Sequence, residues 1–138
     1  MRIVIVGLGK VGKSLAEQLA AEHHDVIVID KNAELVSRIV DVYDVMGVCG
    51  NGASYDMQAE AGVDEADLLI ATTSSDEVNI VACLVAKKLG VQHTIARIRN
   101  PEYEKQLRFM RSELGLSLVI NPEKAVAREI SRATAFSG

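Results

Sequence analysis

Cysteines and long apolar runs are scarce in this sequence, and their scarcity excludes several classes of protein. The 138 residues contain two cysteines, Cys49 and Cys83, and no CxxC motif. A structural zinc site is therefore not expected, and both thiols are predicted to be reduced and mostly buried. The longest apolar stretches, such as Ile3–Gly7 and Leu68–Ala71, fall short of the roughly 20 residues that a membrane helix needs. Arg2 is followed at once by a strand-like run instead of a signal peptide, so we expect a cytosolic protein.

Runs of basic residues are also lacking. The sequence has 15 Lys and Arg against 19 Asp and Glu, which gives a formal net charge of −4. Non-specific nucleic-acid binding depends on a basic surface that neutralises phosphates, so no nucleic-acid partner is expected. The composition is typical of one globular domain with a hydrophobic core, since 49% of the residues are hydrophobic and 25% are charged.

Short apolar runs alternate with amphipathic segments along the chain. Continuous apolar runs indicate strands of a parallel sheet that is covered on both faces. The predicted strands are Ile3–Val6, Val26–Ile29, Val45–Cys49, Leu68–Ala71, Thr94–Ile98 and Leu118–Ile120. Between them apolar residues recur at helical spacing, as Val11, Leu15 and Leu19 do. Six βα units predict a single doubly wound α/β domain over 1–138, with a parallel six-stranded Rossmann-type sheet and helices on both faces.

Capping residues mark the predicted helix boundaries. Asn100 and Asn121 are each followed by Pro and Glu, a pattern that is typical of a helix start. A capping box of Ser74 and Glu77 is expected to open the fourth helix. Gly90 is expected to end that helix in the left-handed conformation.

The segment Gly7–Gly12 has the pattern GxGxxG between the first strand and the first helix. In this context the pattern predicts a dinucleotide-binding turn. Gly7 permits the tight turn, Gly9 lets a pyrophosphate approach backbone N–H groups, and Gly12 lets the helix pack against the sheet. Asp30 ends the second strand, where a carboxylate accepts ribose hydroxyls and repels the 2′-phosphate of NADP. The alternative is that these glycines only form turns.

A second motif overlaps the first. Gly7–Gly12 followed by Lys13 and Ser14 also satisfies GxxxxGK[ST], the phosphate-binding loop of ATPases and GTPases. In a P-loop, Lys13 would contact the β- and γ-phosphates and Ser14 a magnesium ion. The extra Gly9, the short chain and the lack of a water-positioning residue favour the dinucleotide interpretation, and the P-loop stays as its alternative.

Polar residues follow the other strands, at the edge where doubly wound sheets bind their ligands. Asn51 follows the third strand, in a loop that can lie against an adenine or form a simple turn. Thr72, Thr73 and Ser74 follow the fourth, where hydroxyls can bind phosphate or ribose, although helix capping alone would explain Ser74. Lys31 beside Asp30 can reach a base or phosphate, or remain a solvated surface lysine.

Arg97 and Arg99 alternate around Ile98 at the end of the fifth strand, so both side chains leave the sheet on one face. Two neighbouring guanidinium groups need anions. A nucleotide phosphate would serve, and so would salt bridges to Glu102 or Glu104. Spacing does not decide between the two interpretations.

Catalytic residues are not recognisable in the sequence. His23, His24 and His93 precede strands, at the edge of the sheet opposite to the predicted site. No general base accompanies a nucleophile. We therefore predict no catalytic residues and no metal ligands, and a ligand-binding role is favoured over an enzymatic one.

Three parts of the chain together resemble the TrkA-type RCK (KTN) domain: the Gly7–Gly12 loop with Asp30, the segment Asp67–Asn79 and the segment Ala96–Tyr103. The last two are far more specific than GxGxxG, and the resemblance spans essentially the whole chain. Members of this family are cytosolic regulatory subunits of Trk and Ktr potassium-uptake systems and gating domains of potassium channels. Their Rossmann domains bind NAD(H), ATP or ADP and assemble as dimers and rings beneath a membrane pore.

The resemblance implies roles for the predicted site residues. Gly7–Val11 would hold phosphates, with Asp30 at the ribose and Arg97 at a phosphate, while Asn51 and Lys31 would lie near adenine and ribose. The full set of predicted nucleotide-binding residues is Gly7, Leu8, Gly9, Lys10, Val11, Asp30, Lys31, Asn51, Thr72, Thr73, Ser74 and Arg97.

As a function, the resemblance implies a cytoplasmic nucleotide-sensing regulatory subunit or domain. It would bind NAD(H) or ATP/ADP, form a homo-oligomer, and attach to the inner face of the membrane through a Trk- or Ktr-type potassium transporter, without inserting into the bilayer. Arg99 would contact the nucleotide of a neighbouring subunit. The small C-terminal regulatory domain of the family is expected to be absent from 1–138. The alternative from another class is a small NAD-dependent oxidoreductase or a P-loop nucleotide hydrolase.

Overall fold

Strands and helices alternate in the computed structural model, which describes residues 1–109, 117–119 and 126–131. The strands are β1 (Arg2–Val6), β2 (Asp25–Asp30), β3 (Met46–Cys49), β4 (Leu68–Ala71), β5 (His93–Arg97) and β6 (Ser117–Val119). The helices are α1 (Lys10–Ala21), α2 (Ala33–Val42), α3 (Tyr55–Glu60), α4 (Asp76–Leu89) and α5 (Pro101–Phe109), and residues 126–131 are also helical. Within these ranges no helix combines the length and the apolar character that crossing a bilayer requires.

The six strands form one parallel sheet in the order β3-β2-β1-β4-β5-β6. In the centre, β1 pairs with β2 on one side and with β4 on the other, so that Val6 lies between Ile29 and Ala71. The strand order reverses at this point, and the connections leave towards opposite faces of the sheet. The predicted doubly wound, six-stranded Rossmann-type sheet is confirmed.

Both faces of the sheet are buried, which is why the strands are continuous apolar runs. Alternate residues of β1 serve the two faces. Ile3 and Ile5 belong to the core beneath α1, α2 and residues 126–131, while Val4 and Val6 belong to the core beneath α3, α4 and α5. All four side chains are at most 2% exposed. The chain is therefore a three-layer sandwich, and its loops are displaced to the two edges of the sheet.

Two of the predicted helix signals are confirmed and one is wrong. Gly90 ends α4 with φ of 108°, and the side chain of Asn100 accepts a hydrogen bond from the N–H of Glu102 at 3.0 Å. The cap of α4 is Ser75 and not Ser74, because the Oγ atom of Ser75 accepts from the N–H of Val78. The predicted cap at Asn121 lies outside the described residues.

The two cysteines differ in their exposure. Cys83 on α4 is buried, as predicted, but Cys49 is exposed, so the prediction that both thiols are mostly buried is wrong. Cys49 ends β3, which among the described strands pairs with β2 alone and whose residues are largely exposed. An apolar strand at the edge of a sheet has neighbours on one side only, and the sequence does not reveal this position.

We expect Cys49 to react with a thiol reagent at neutral pH and Cys83 to stay unreactive in the folded protein. Burial raises the pKa of the Cys83 thiol to about 12, so at pH 7 it remains protonated and poorly nucleophilic. Titration with Ellman's reagent should give one fast thiol in buffer and two in denaturant. Cys49→Ser should remove the fast phase, and a fast phase that persists in this variant would contradict the assignment.

Candidate functional site

A cleft of about 620 Å³ opens at the carboxyl-terminal edge of the sheet, above the point where the strand order reverses. The loops that follow β1 to β5 form its walls. Eleven of the twelve predicted site residues line it: Gly7, Gly9, Lys10, Val11, Asp30, Lys31, Asn51, Thr72, Thr73, Ser74 and Arg97. The structure adds Arg99, Asn32, Ser75 and Val78 to this lining. One site is thus assembled from residues as far apart in the sequence as Gly7 and Arg99.

Helix α1 points its uncapped N-terminus into this cleft. Helices α2 to α5 each begin with a side-chain cap, supplied by Asn32, Ser54, Ser75 and Asn100. At α1 the capping position is Gly9, which has no side chain to accept the free N–H groups, and the first turn contains no acidic residue. These N–H groups and the positive end of the helix dipole remain available to an anion in the cleft.

The three glycines of the loop have three different environments. Gly7 has φ of +99°, in the left-handed region that favours glycine. A Cβ atom on Gly12 would overlap the carbonyl oxygen of Gly7 and lie 2.7 Å from Oγ1 of Thr72, so the absent side chain allows α1 to approach the sheet. A Cβ on Gly9 would meet nothing within 4 Å, because it would point into the open cleft.

The carboxylate of Asp30 lies beside this loop and holds it. Its Oδ2 atom accepts from the N–H of Leu8 at 2.6 Å, and its Oδ1 atom accepts from the N–H of Asn32 at 2.8 Å. Each carboxylate oxygen has a further lone pair, so Asp30 can also accept two ribose hydroxyls. Leu8 is the one predicted site residue that does not line the cleft: its side chain is 3% exposed, and only its N–H serves the site.

The lining of the cleft is positively charged although the chain as a whole has a net charge of −4. Lys10, Lys31, Arg97 and Arg99 all line it, and among the described lining residues Asp30 is the one carboxylate. In the part of the chain that the structure describes, neither arginine forms an ion pair. The alternative salt bridge to Glu102 is therefore not formed, while the side chain of Glu104 lies outside the described residues. An anionic ligand suits this lining.

Three buried polar side chains, which the sequence interpretation did not single out, hold the walls of the cleft together. Asp76 accepts from the N–H of Arg99 at 3.0 Å and from that of Asn100 at 2.8 Å. Gln58 donates to the carbonyl oxygens of Gly52 and Ala82. The third is Asn79, which joins the loops after β4 and β5. A fully buried polar residue on an apolar helix face is the signal that could have found them.

Neither Lys13, the phosphate contact of the P-loop alternative, nor Ser14, its magnesium ligand, lines the cleft. The side chain of Lys13 is 62% exposed and lies 3.9 Å from Glu17. It lines a separate groove between α1 and α2 instead of the cleft, and Ser14 is exposed. Lys13 therefore lies outside the cleft into which the N-terminus of α1 points.

His23 and His24 precede a strand as predicted, whereas His93 was predicted to precede the fifth strand and lies within it. His24 precedes β2 and contacts the N-terminal amino group at 3.4 Å, at the edge of the sheet opposite to the cleft. His93 is the first residue of β5. Among the described residues no group of three His, Cys, Asp or Glu side chains could hold a metal ion.

A sheet of this strand order, with a glycine turn after β1 and a carboxylate at the end of β2, defines a Rossmann-type α/β domain. The TrkA-N domain family matches residues 3–122. The chain belongs to this family, which confirms the resemblance to TrkA-type domains.

Relatives of known name agree with this assignment. The chain is 39% identical over 141 residues to the Trk system potassium uptake protein TrkA of Vibrio alginolyticus, and 40% identical over 138 residues to a TrkA homologue of Archaeoglobus fulgidus. Both alignments include 100% of this chain and 31% of the relative. The chain thus spans about a third of the length of these relatives.

Solved structures share the fold. The TrkA-N domain of the inner membrane protein ybaL from Escherichia coli superposes with a TM-score of 0.74 at 24% identity, covering 96% of this chain and 95% of that one. The GsuK channel bound to NAD superposes with a TM-score of 0.71 at 23% identity, covering 86% of this chain and 21% of that one. GsuK bound to ADP gives a TM-score of 0.69 at 23% identity, covering 86% of this chain and 30% of that one.

Proposed function

We propose that this chain is a nucleotide-sensing regulatory domain of a potassium-uptake system, which binds NAD(H), ADP or ATP in the cleft and catalyses no reaction. The observation that carries the proposal is the bare N-terminus of α1, which lies beside Asp30 in a cleft lined by four basic side chains. Relatives named as Trk potassium uptake proteins support the transport role. GsuK structures bound to NAD and to ADP support the ligand class.

The proposed site divides the ligand between three groups of residues. Gly7–Val11 hold the phosphates on free N–H groups, and Arg97 contributes a guanidinium group to the same charge. Asp30 accepts the ribose hydroxyls. Lys31 and Asn51 lie near the adenosine, and the hydroxyl-bearing residues after β4 complete the wall. Arg99 also lines the cleft, so we assign it to a phosphate of the ligand in its own subunit or in a neighbouring one.

The proposed mechanism is a population shift. Nucleotides that differ in charge or phosphate number bind the same cleft but prefer different arrangements of a homo-oligomer, and each ligand shifts the equilibrium by its differential affinity. A membrane potassium transporter of the Trk or Ktr type responds to that arrangement from the cytoplasmic side. In this proposal 1–138 is the nucleotide-binding domain of such a regulator.

Calorimetric titration of the purified chain with NAD, NADH, ADP, ATP and NADP tests the proposal. We expect saturable binding of adenine nucleotides, with NADP at least about tenfold weaker than NAD because Asp30 repels the 2′-phosphate. Sustained turnover of NADH or of ATP with magnesium would instead support the enzymatic alternatives. Absence of heat with every nucleotide would refute the proposed function.

We expect Lys13→Ala to leave the affinity for ADP unchanged within about twofold, with or without magnesium, because Lys13 lies outside the cleft. The matched control is Lys10→Ala, one helical turn earlier and in the cleft lining. It should weaken binding several-fold, as expected for loss of one charge near phosphate, about 1 kcal/mol at a partly solvated site. Magnesium-dependent affinity that is lost in Lys13→Ala would revive the P-loop.

A further inference from the structure

The side chain of Asn79 joins two walls of the cleft, the loop after β4 and the end of β5. It is fully buried on α4. Its Oδ1 atom accepts from the N–H of Thr73 at 2.8 Å and from the hydroxyl of Thr73 at 2.7 Å. Its Nδ2 group donates to the carbonyl oxygen of Thr73 at 3.1 Å and to that of Arg97 at 2.8 Å. The carboxamide thus makes all four of the hydrogen bonds that its donors and acceptors allow.

These four bonds connect the loop after β4 to the end of β5, beyond the strand pairing that ends at Ala71 and Ala96 and in addition to the bonds that Asp76 accepts from the N–H groups of Arg99 and Asn100. Thr73 belongs to the loop after β4, and Arg97 is the last residue of β5. Both segments line the cleft, and both carry groups suited to phosphate: hydroxyls and N–H groups on one, a guanidinium on the other. The backbone of Arg97 determines where its half-buried side chain enters the cleft.

No other buried side chain can replace this arrangement. The site offers two donors and two acceptors, so an aliphatic residue leaves the polar groups of Thr73 and the carbonyl of Arg97 without partners in a dry environment. A carboxylate would place an acceptor against two carbonyl oxygens. Only a carboxamide of this length satisfies both walls at once.

We propose that Asn79 is a positioning residue that sets the affinity of the cleft for the phosphates of its ligand, by holding Thr73 and Arg97 in register. This inference rests on the proposed function. Asn79 does not itself line the cleft. The inference is that it affects the binding of the phosphates selectively, and not only the stability of the fold.

Gln58 provides a matched comparison. It is also a fully buried carboxamide on the same side of the sheet, and its Nε2 group donates to the carbonyl oxygens of Gly52 and Ala82 at 2.7 and 2.9 Å. Gly52 lies in the loop after β3, on the adenosine side of the proposed site. Loss of Gln58 therefore breaks two buried hydrogen bonds without touching the segments of Thr73 and Arg97.

The experiment measures binding of adenosine and of ADP by calorimetry to the wild type and to Asn79→Leu, Asn79→Ala and Gln58→Leu, with thermal unfolding of each. Adenosine lacks the phosphates, so the ratio of the two affinities isolates the phosphate contribution. For the Asn79 variants we expect the ratio of ADP affinity to adenosine affinity to fall about tenfold, which corresponds to the loss of one charge-assisted hydrogen bond. The affinity for adenosine itself should change less than about threefold. For Gln58→Leu the ratio should stay within about twofold of the wild type.

Each other outcome has a definite meaning. Equal losses of adenosine and ADP affinity in the Asn79 variants would make Asn79 a structural residue and overturn the inference alone. Asn79→Ala leaves space in which water can bond the exposed polar groups, so we expect it to be less destabilised than Asn79→Leu. One folded variant of the two is enough for the binding measurement. Unfolding of both, with Gln58→Leu folded, would also overturn the inference. A wild type without affinity for ADP would overturn the proposed function itself.

Discussion

Gly12→Ala is expected to destabilise the folded chain by about 3 kcal/mol, the upper range for overpacking. The added Cβ overlaps the carbonyl oxygen of Gly7 and lies 2.7 Å from Oγ1 of Thr72. Neither neighbour can move freely. Gly7 is already held in the left-handed region at φ of +99°, and Thr72 donates from the same Oγ1 atom to the carbonyls of Val6 and Gly7. Relief therefore requires α1 to move away from the sheet.

Urea unfolding of the variant measures this effect. A loss of about 3 kcal/mol is a large part of the 5–15 kcal/mol that stabilise a typical domain, and it should lower the melting temperature by roughly 10 °C. Gly9→Ala is the matched control three residues earlier. Its Cβ meets nothing within 4 Å and its φ of −67° suits alanine, so its stability should change by less than about 0.5 kcal/mol. Equal stabilities for the two variants would contradict the packing that the structure shows.

The central strands and the outline of the cleft were predictable because both depend on sequence order. Strands buried on two faces are continuous apolar runs, and β4 was predicted to the residue. Parallel strands point their carboxyl ends to one edge, so residues that follow successive strands, such as Asp30, Thr73 and Arg97, meet without any knowledge of their contacts. The glycine pattern then located the turn at which we propose that the anion binds.

Other features depend on which elements lie side by side in the fold, and the sequence does not show this. The exposure of Cys49 follows from the edge position of β3. Ser74 and Ser75 both fit a capping pattern, and the choice between them is made by the loop, in which the hydroxyl oxygen of Thr73 accepts a hydrogen bond from the N–H of Ser75. Asn79 bonds the carbonyl of Arg97, 18 positions away. A polar residue on an apolar helix face can be recognised in the sequence, but its partner here is a backbone atom of a distant residue, which the sequence does not identify.

Asp30→Ala is expected to weaken the binding of NAD or ADP by about 100-fold, since the ribose loses two hydrogen bonds to a charged acceptor. The same substitution removes the acceptor of the N–H groups of Leu8 and Asn32, so a stability loss of about 1–2 kcal/mol should accompany it. Calorimetry and thermal unfolding measure the two effects. Asp44→Ala removes an exposed carboxylate that does not line the cleft, and it should change neither.

Gly9→Asp is expected to abolish binding of the same ligands while leaving the fold at least as stable as the wild type. Gly9 occupies the capping position of α1 in an extended conformation, where an aspartate accepts from the free N–H groups of Val11 or Gly12 and stabilises a helix by about 1 kcal/mol. The new carboxylate thus takes the donors that the proposed phosphate needs, and it adds a negative charge at the same place. No neighbour within 4 Å opposes it.

The two variants test the site from opposite sides, because Asp30→Ala removes an acceptor and Gly9→Asp adds one. Loss of binding in Asp30→Ala alone has a second explanation, namely a loosened glycine loop. Loss of binding in Gly9→Asp cannot be explained by a loosened loop if this variant is more stable than the wild type. It then indicates that the new carboxylate occupies the proposed anion site. If Gly9→Asp gains stability and still binds ADP with wild-type affinity, the start of α1 holds no phosphate. Ser, Asn or Asp at position 9 would stabilise α1 more than Gly9 does, and binding would then not explain why α1 has no side-chain cap.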